Sequence, residues 1–298
     1  MTKAQAEAYI RAIEKAAKIF DRSTKQIEDA FATALQRAQR SLAQSVDAWV
    51  SDMPSMNNTT LQQRLTWHAV ESKRLSALVR ASGYYDATNK YVQAMDEVAE
   101  LARKIMTGGG VDAAWGAAPE RFVDAVKARD FAHFDYIGRE AVSKLDDIFM
   151  DAVVGGVSRA TALADLRSLI TGEYEWGDRM GLYEWHAGTY ARTALHRHAQ
   201  LFLNAEAKEA GLHSYLYVGT VDGKLREFCA GIVGGVFTEE EIGDMDNGQT
   251  GDVMTDCGGF NCRHQWVGVT DELADQIKAD AGLTEELQAS GEATGAEM

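Results

Sequence analysis

Apolar residues, interrupted by one threonine, recur at alternating spacings of three and four along the first fifty residues of the chain. They are Ile10, Ile13, Ala17, Phe20, Thr24, Ile27 and Phe31, continued by Leu35, Leu42, Val46 and Trp49. This spacing places their side chains on one face of a helix. The sequence therefore predicts a long amphipathic helix from about residue 4 to 50, with a coiled-coil-like seam.

The apolar seam is compatible with more than one packing arrangement. Helices joined by short loops usually pack against each other, which favours a monomeric bundle. The same apolar face could dock onto a larger assembly, or it could mediate self-association through the N-terminal helices. A three-four seam suits a dimer, a trimer and an intramolecular bundle alike, so the pattern leaves these alternatives open.

Helical periodicity continues through most of the next 160 residues, divided by glycine, proline and capping residues. We expect helices at about 60–80, 84–106, 119–131, 135–154, 158–170 and 182–210. Asn57, Asn58 and Thr59 are candidate caps for the first of these, and Ser158 caps the fifth. The triple glycine at 108–110 ends a helix and predicts a hinge.

The stretch 219–269 differs from the rest, because it is rich in glycine and contains all three cysteines. Asp222-Gly223 predicts a tight turn between short strands. Segments 213–220 and 265–270 carry the β-branched and aromatic residues that favour a half-buried sheet. We therefore predict an α+β fold, with a mostly helical N-terminal region and a small C-terminal mixed α/β domain built on a short sheet.

The net charge of −15 is unevenly distributed. Residues 1–104 carry 15 basic and 12 acidic residues, and the remainder carries 15 and 33. An acidic surface repels nucleic acid, which argues against direct DNA binding. A basic row of Lys15, Lys18, Arg22 and Lys25 is the one candidate for a phosphate-facing patch. The simpler interpretation of this row is a solvated helix face.

The chain has neither a secretory-signal pattern nor an apolar run long enough for a membrane span, so we expect a protein made in a cytoplasm without membrane attachment. Three cysteines in a reducing compartment predict free thiols or a metal rather than a disulfide framework. Cys229, Cys257, Cys262 and His264 together make a candidate structural zinc site. Cys262 and His264 are two residues apart, however, and on a strand they would face opposite sides.

Two alternatives to zinc remain. Free cysteines pack like small hydrophobic residues, which makes buried thiols the simpler interpretation. A cysteine-dependent hydrolase or toxin-like effector would use Cys229 or Cys262 as nucleophile and His264 or His196 as base. Such a site needs a third residue to orient the base, and the sequence identifies none. For this reason we predict no catalytic residues, no bound cofactor other than the candidate zinc, and no enzymatic activity.

The C-terminal motifs resemble those of phage head-morphogenesis proteins, the Mu F-like minor head proteins and related minor capsid proteins. The resemblance covers roughly residues 185–270. The residues that carry it are Arg192, Thr193, Asp222, Gly223, Arg226, Cys229, Gly235, Val236, Phe237, Asn261, Cys262, Arg263 and His264. Where many relatives have His-Pro before Asn-Cys-Arg, this chain has Gly258-Gly259-Phe260. We also expect Arg192 or Arg197 to turn toward the sheet and pair with a carboxylate such as Asp222.

The resemblance implies a minor head protein of a tailed bacteriophage, present in few copies. Its expected partners are the portal and other head proteins, and it could leave the head with the DNA. Its expected location is the phage head, after assembly in the host cytoplasm. The corresponding division is an N-terminal helical arm or bundle at 1–107 and a helical middle region at 111–180. The Mu F-like domain at 181–270 and an acidic tail at 271–298 follow.

Overall fold

The computed structural model describes residues 1–53, 59–111, 117–173 and 181–280. These residues form a mostly helical chain with one small antiparallel sheet near the C-terminus, which confirms the predicted fold class. The predicted first helix is present as α1, Lys3–Ser51. The seam residues Ile10, Ile13, Phe20, Thr24, Phe31, Leu35, Leu42, Val46 and Trp49 are all buried. The single chain thus covers most of its own seam.

The next three helices follow the predicted pattern with two differences. They are α2 (Leu61–Ala81), α3 (Tyr84–Gln93) and α4 (Met95–Gly108). The cap of α2 is Thr60, whose hydroxyl accepts from the Gln63 amide while the Gln63 side chain accepts from the Thr60 amide. The predicted cap at Thr59 is therefore wrong, and Asn57 and Asn58 lie outside the described residues. The helix predicted at 84–106 is divided at Ala94.

The triple glycine ends α4 and packs against α1. A Cβ atom at Gly108 would lie 3.1 Å from the carbonyl carbon of Ala12, and one at Gly109 would lie 3.1 Å from Ile13 Cδ1. Side chains at these positions would push the two helices apart. Close helix packing thus gives a physical reason for glycine here, and the predicted hinge stays a prediction.

The middle of the chain contains one helix where two were predicted. Helix α5 runs without a break over Ala117–Gly155. The predicted gap after Phe131 is wrong, because no glycine or proline interrupts the helix there and Phe134 is buried within it. Ser158 caps α6 (Arg159–Thr171) as predicted, by accepting a hydrogen bond from the Thr161 amide. Helix α7 spans Glu184–Glu209.

The C-terminal part alternates strands with short helices: β1 (Ser214–Val218), α8 (Glu227–Ile232), β2 (Val236–Thr238), α9 (Glu239–Gly243), α10 (Val253–Asp256), β3 (Gln265–Val269) and α11 (Asp271–Ala279). The strand order is β2-β1-β3, and both pairings are antiparallel. Every residue of β1 and β3 is buried. Short strands were predicted on both sides of the Asp222-Gly223 turn. The strand before the turn is present as β1, but a helix, α8, follows the turn, so the second prediction is wrong. Of the tail, residues 281–298 lie outside the described part.

The chain forms two compact units, each assembled from separate segments. The first comprises Met1–Gln26, Ala94–Lys127 and Arg192–Met298, so far as these are described, and the second comprises Ile27–Gln93 and Ala128–Ala191. The first unit therefore contains the sheet together with the start of α1 and all of α4. The second has an aromatic core in which Phe31 contacts both Tyr91 and Phe134. None of the described helices combines the length and the apolar character that crossing a membrane requires.

Candidate functional site

An ion pair closes the loop after β1. The Asp222 carboxylate accepts two hydrogen bonds of 2.7 Å from the guanidinium of Arg263. It also accepts one of 2.9 Å from the Lys224 amide. These donors lower the pKa of Asp222, with the Arg263 hydrogen bond as the largest cause. Gly223 lies in the turn that the Leu225 amide closes by donating to the Asp222 carbonyl. The pair links the turn after β1 to the residue two before β3.

A second arginine of the resembling set binds the loop that precedes β3. The Arg226 guanidinium donates to the carbonyl of Gly258 at 2.5 Å and also to the carbonyl of Phe260. The Phe260 amide donates to Gln249 Oε1 at 3.1 Å. Phe260 is therefore held by its backbone on both sides, and the residue is 51% exposed.

The predicted partnership of Asp222 with an arginine of α7 is wrong. Arg197 pairs instead with Asp256 at 3.1 Å, and Arg192 lies on the exposed side of α7. Arg263 lies closer to Asp222 because β3 pairs directly with β1, from which the Asp222 turn extends. The carboxylate is thus paired as expected, but by the arginine of the Asn-Cys-Arg motif.

Two cysteines and one histidine converge at the same place. Cys229 in α8 and Cys262 before β3 have their sulfurs 3.9 Å apart, and Cys262 Sγ lies 3.8 Å from His264 Nδ1. One ligand atom from each of the three residues lies within 4.8 Å of the others, and all three residues are buried. Three of the four residues of the predicted zinc set are therefore together.

The backbone explains why Cys262 and His264 share one side. Both residues precede β3, so the strand alternation that was expected to separate them does not apply. Asn261 adopts a φ of 58°, which turns the chain just before them. The His264 amide then donates back to Cys262 Sγ at 3.4 Å. The expectation of opposite faces is therefore wrong.

Cys257 forms its hydrogen bond with a residue outside the group of Cys229, Cys262 and His264. Its thiol donates to Gln200 Oε1 at 3.4 Å, and the same oxygen accepts from the Trp266 amide at 2.8 Å. Burial raises the pKa of the Cys257 thiol well above its usual range. Cys257 acts here as a buried thiol that helps to fix α7 against β3, and the structure does not group it with the proposed ligands.

The surroundings of Cys262 favour a thiolate. The amide of Gly258 donates to its sulfur at 3.2 Å, in addition to the His264 amide. A hydrogen bond from the Cys229 thiol, followed by one from His264, lowers the pKa of Cys262 to about 3. The same pairing with Cys262, together with burial, raises the pKa of Cys229. Tyr217, whose pKa is raised by burial, places its hydroxyl 3.4 Å from Cys229 Sγ.

Two glycines leave room for this group. A Cβ atom at Gly258 would lie 2.3 Å from Cys229 Sγ and 3.1 Å from Cys262 Sγ. A Cβ atom at Gly219 would lie 2.5 Å from Cδ2 of His264. Only glycine allows both approaches without displacing the three side chains.

A cavity of about 40 Å³ borders the group, and its lining includes Cys262, His264, His196 and Asp256. A cysteine hydrolase would need a carboxylate or amide on the second nitrogen of the histidine. Asp256 instead pairs with Arg197, and His264 Nε2 is buried without a hydrogen-bond partner among the described residues. The geometry thus brings the Cys262 sulfur and the His264 imidazole together, and no third residue of a triad accompanies them among the residues that the structure describes.

Sequence reasoning missed two contributors to the site. Tyr217 was expected only as a strand residue, yet its hydroxyl contacts Cys229 and its ring stacks on His264 at a centroid distance of 5.3 Å. Gly258 was noted only as a departure from the resembling family. The sequence Cys-Gly-Gly shortly before Asn-Cys-Arg could have indicated the role of Gly258. A residue without a side chain beside a thiol allows the backbone to approach closely.

Comparison of the chain with protein-family models, with curated proteins and with solved structures finds no match in any of the three.

Proposed function

We propose that this chain is a minor head protein of a tailed bacteriophage that binds the portal during head assembly. The observation that carries the proposal is that the residues of the phage-like motif are bonded to one another. Asp222 pairs with Arg263, and Cys229 contacts Cys262. Arg226 binds the loop that leads into the motif Asn-Cys-Arg-His. Bonds between the motif residues are what we expect if the motif determines the shape of this part of the chain.

The charged groups of these residues bind partners within the C-terminal part of the chain. Asp222 and Arg263 neutralise each other, and the guanidinium of Arg226 is directed at two backbone carbonyls. A catalytic or ligand-binding set would instead direct such groups into a cleft toward a substrate. The bonding therefore favours a rigid assembly module over a substrate site.

The portal-facing surface must lie elsewhere than the apolar seam of α1, because that seam is buried within the chain. The exposed ring of Phe260 is a suitable contact, since it is apolar and its backbone is fixed by Arg226 and Gln249. A rigid aromatic side chain loses little conformational entropy on binding. We assign Phe260 to the portal contact.

The acidic charge suits a component located beside packed DNA. A chain with a net charge of −15 is repelled by phosphate and remains soluble at the high concentrations of an assembling head. Direct DNA binding is therefore not part of the proposal. The protein would be made in the host cytoplasm and retained in the virion, with portal and head proteins as its partners.

Sedimentation with the portal tests the proposal. The full-length chain, at micromolar concentration, is layered with purified portal rings of the phage that encodes it, and the gradient fractions are analysed for both proteins. We expect the chain to move with the rings and to remain at the top without them. A chain that stays at the top in both gradients would contradict the proposed role.

A further inference from the structure

We propose that Cys229, Cys262 and His264 bind one zinc ion through their two sulfurs and the Nδ1 nitrogen of the imidazole. The inference concerns the architecture of the C-terminal module and does not depend on portal binding. It differs from a four-residue site with Cys257, whose thiol is bonded to Gln200.

Two of the three distances between ligand atoms are close to those of a tetrahedral zinc centre, and the third is within 4.8 Å. Zinc lies about 2.3 Å from a thiolate sulfur and about 2.0 Å from an imidazole nitrogen. At the tetrahedral angle, two such sulfurs are about 3.8 Å apart, and a sulfur and a nitrogen about 3.5 Å. The observed separations are 3.9 Å between the two sulfurs and 3.8 Å between Cys262 Sγ and His264 Nδ1. Only small side-chain movements would bring the three atoms into the coordination sphere.

His264 gives an independent indication of a ligand. The residue is only 4% exposed, and its Nε2 atom has no hydrogen-bond partner among the described residues. Its Nδ1 atom lies 3.8 Å from Cys262 Sγ, which makes only a long, weak hydrogen bond. A buried polar side chain normally has strong partners, and a missing one requires an explanation. A zinc ion between the sulfurs and Nδ1 would give this nitrogen a strong partner, while Nε2 would carry the proton of the neutral imidazole.

The groups around the sulfurs are those that support metal-bound thiolates. Two backbone amides, those of Gly258 and His264, point at Cys262 Sγ, and the Tyr217 hydroxyl lies beside Cys229 Sγ. Hydrogen bonds of this kind orient metal ligands and stabilise their negative charge. Gly258 and Gly219 lack a Cβ atom, which keeps the space beside the sulfurs and His264 free of further side chains.

The ligand types select the metal. Two thiolates with one imidazole suit zinc, and a soft donor set excludes magnesium and calcium. When zinc binds, each thiol that is still protonated releases its proton to solvent, so that no oxidant or reductant is consumed. The cavity of about 40 Å³ beside Cys262 and His264 has room for a water molecule.

A zinc ion here would tie α8 to the loop before β3. Cys229 is 33 residues from Cys262 along the chain. Together with the Asp222–Arg263 pair, the ion would fix both ends of the segment between β1 and β3. We therefore assign the ion a structural role.

The main test is the metal content of the protein. The full-length chain is purified without chelator, and its zinc is measured by plasma mass spectrometry together with its free thiols. We expect about one zinc per chain. Cobalt(II) added to chelator-treated protein should give the intense visible bands of a tetrahedral thiolate site. A wild-type chain that neither retains zinc nor gives these bands, or that contains a disulfide between Cys229 and Cys262, would overturn the proposal.

Variants assign the ligands. Cys262→Ser and His264→Ala should weaken zinc binding by more than about 100-fold in competition with a coloured chelator, since even residues behind the ligands change affinity 10- to 100-fold. Cys257→Ser is the matched control, because a serine hydroxyl can still donate to Gln200, and it should bind zinc like the wild type. Circular dichroism checks that each variant folds. Equal loss of zinc in Cys257→Ser and Cys262→Ser would contradict the three-residue site.

Discussion

Asp222 and Arg263 are 41 residues apart in the chain, yet their side chains form a two-bonded ion pair with both distances at 2.7 Å. Their side chains are 24% and 27% exposed, so the pair is largely screened from water. Pairs with this geometry are stronger than ordinary surface ion pairs. The relationship connects the Asp-Gly turn after β1 to the Asn-Cys-Arg-His motif before β3.

Replacing the carboxylate of this pair should destabilise the protein. We expect Asp222→Asn to lower the free energy of unfolding by about 1–3 kcal/mol, because Arg263 loses a charged acceptor in a half-buried position. Urea unfolding followed by circular dichroism measures the change. Lys208→Gln is the control, since it removes a charge from the exposed pair of Lys208 and Glu239 and should cost less than about 1 kcal/mol. Equal effects of the two substitutions would contradict the structural role of Asp222.

The same pair predicts a pH dependence. The pKa of Asp222 is lowered in the folded protein, chiefly by the Arg263 hydrogen bond. The folded state therefore binds fewer protons at this group, and its contribution to stability is complete above the unfolded pKa of about 3.9. This contribution disappears as the pH falls through the lower, folded value.

The measurement compares wild type with Asp222→Asn, both treated with chelator, at several pH values. The difference in their free energies of unfolding should be constant from pH 7 to about pH 5 and should shrink in more acidic solution. A difference that stays constant down to pH 2.5, or that grows in acid, would show that Arg263 does not stabilise the Asp222 carboxylate.

Much of the helical part could be predicted from the sequence because its signals are local. The seam of α1 and the Ser158 cap depend on neighbours a few residues away, and both were predicted correctly. The break expected after Phe131 in α5 was wrong, since a weak apolar pattern is not a helix terminator. Periodicity shows which residues face inward but does not by itself show where a helix stops.

The site depended on contacts that no local pattern encodes. The pairing of Asp222 with Arg263 follows from the antiparallel register of β1 and β3. The meeting of Cys262 and His264 depends on the irregular backbone before β3, where Asn261 has a positive φ. Non-glycine residues adopt this conformation rarely, so strand alternation was the reasonable expectation. The cysteines and the histidine could be identified as candidates from composition, but their grouping required the fold.

A glycine substitution tests how tightly the thiol group is packed. Gly258→Ala would place a methyl group 2.3 Å from Cys229 Sγ, so the loop or the sulfur must move. We expect a loss of about 1–3 kcal/mol in unfolding free energy from overpacking, and weaker zinc binding. Thermal unfolding and chelator competition measure the two effects.

Gly231→Ala is the matched control for this substitution. Gly231 lies in α8, two residues after Cys229, and a Cβ atom there would meet nothing within 4 Å. Alanine should be neutral or stabilise the helix by up to about 1 kcal/mol. If Gly258→Ala were as stable and bound zinc as tightly as Gly231→Ala, the close approach of the loop to the sulfurs would be refuted.

The proposed function makes Phe260 the residue whose loss should matter most for the portal. The residue is 51% exposed, and a matched residue is Phe131, which is 38% exposed on α5 in the second unit. Removing an exposed aromatic ring should change stability by less than about 0.5 kcal/mol in either case. If Phe260 contacts the portal, its substitution should lower the affinity for the portal by at least about 10-fold, as substitutions at binding hot spots do.

The most direct test is therefore a sedimentation titration of portal rings with three proteins: wild type, Phe260→Ala and Phe131→Ala. The account predicts that wild type and Phe131→Ala bind the rings equally at micromolar concentration, and that Phe260→Ala needs at least about 10-fold more protein for the same occupancy. Absence of binding by the wild type would contradict the head-assembly role. Equal binding by all three would place the portal contact away from the loop that Arg226 holds.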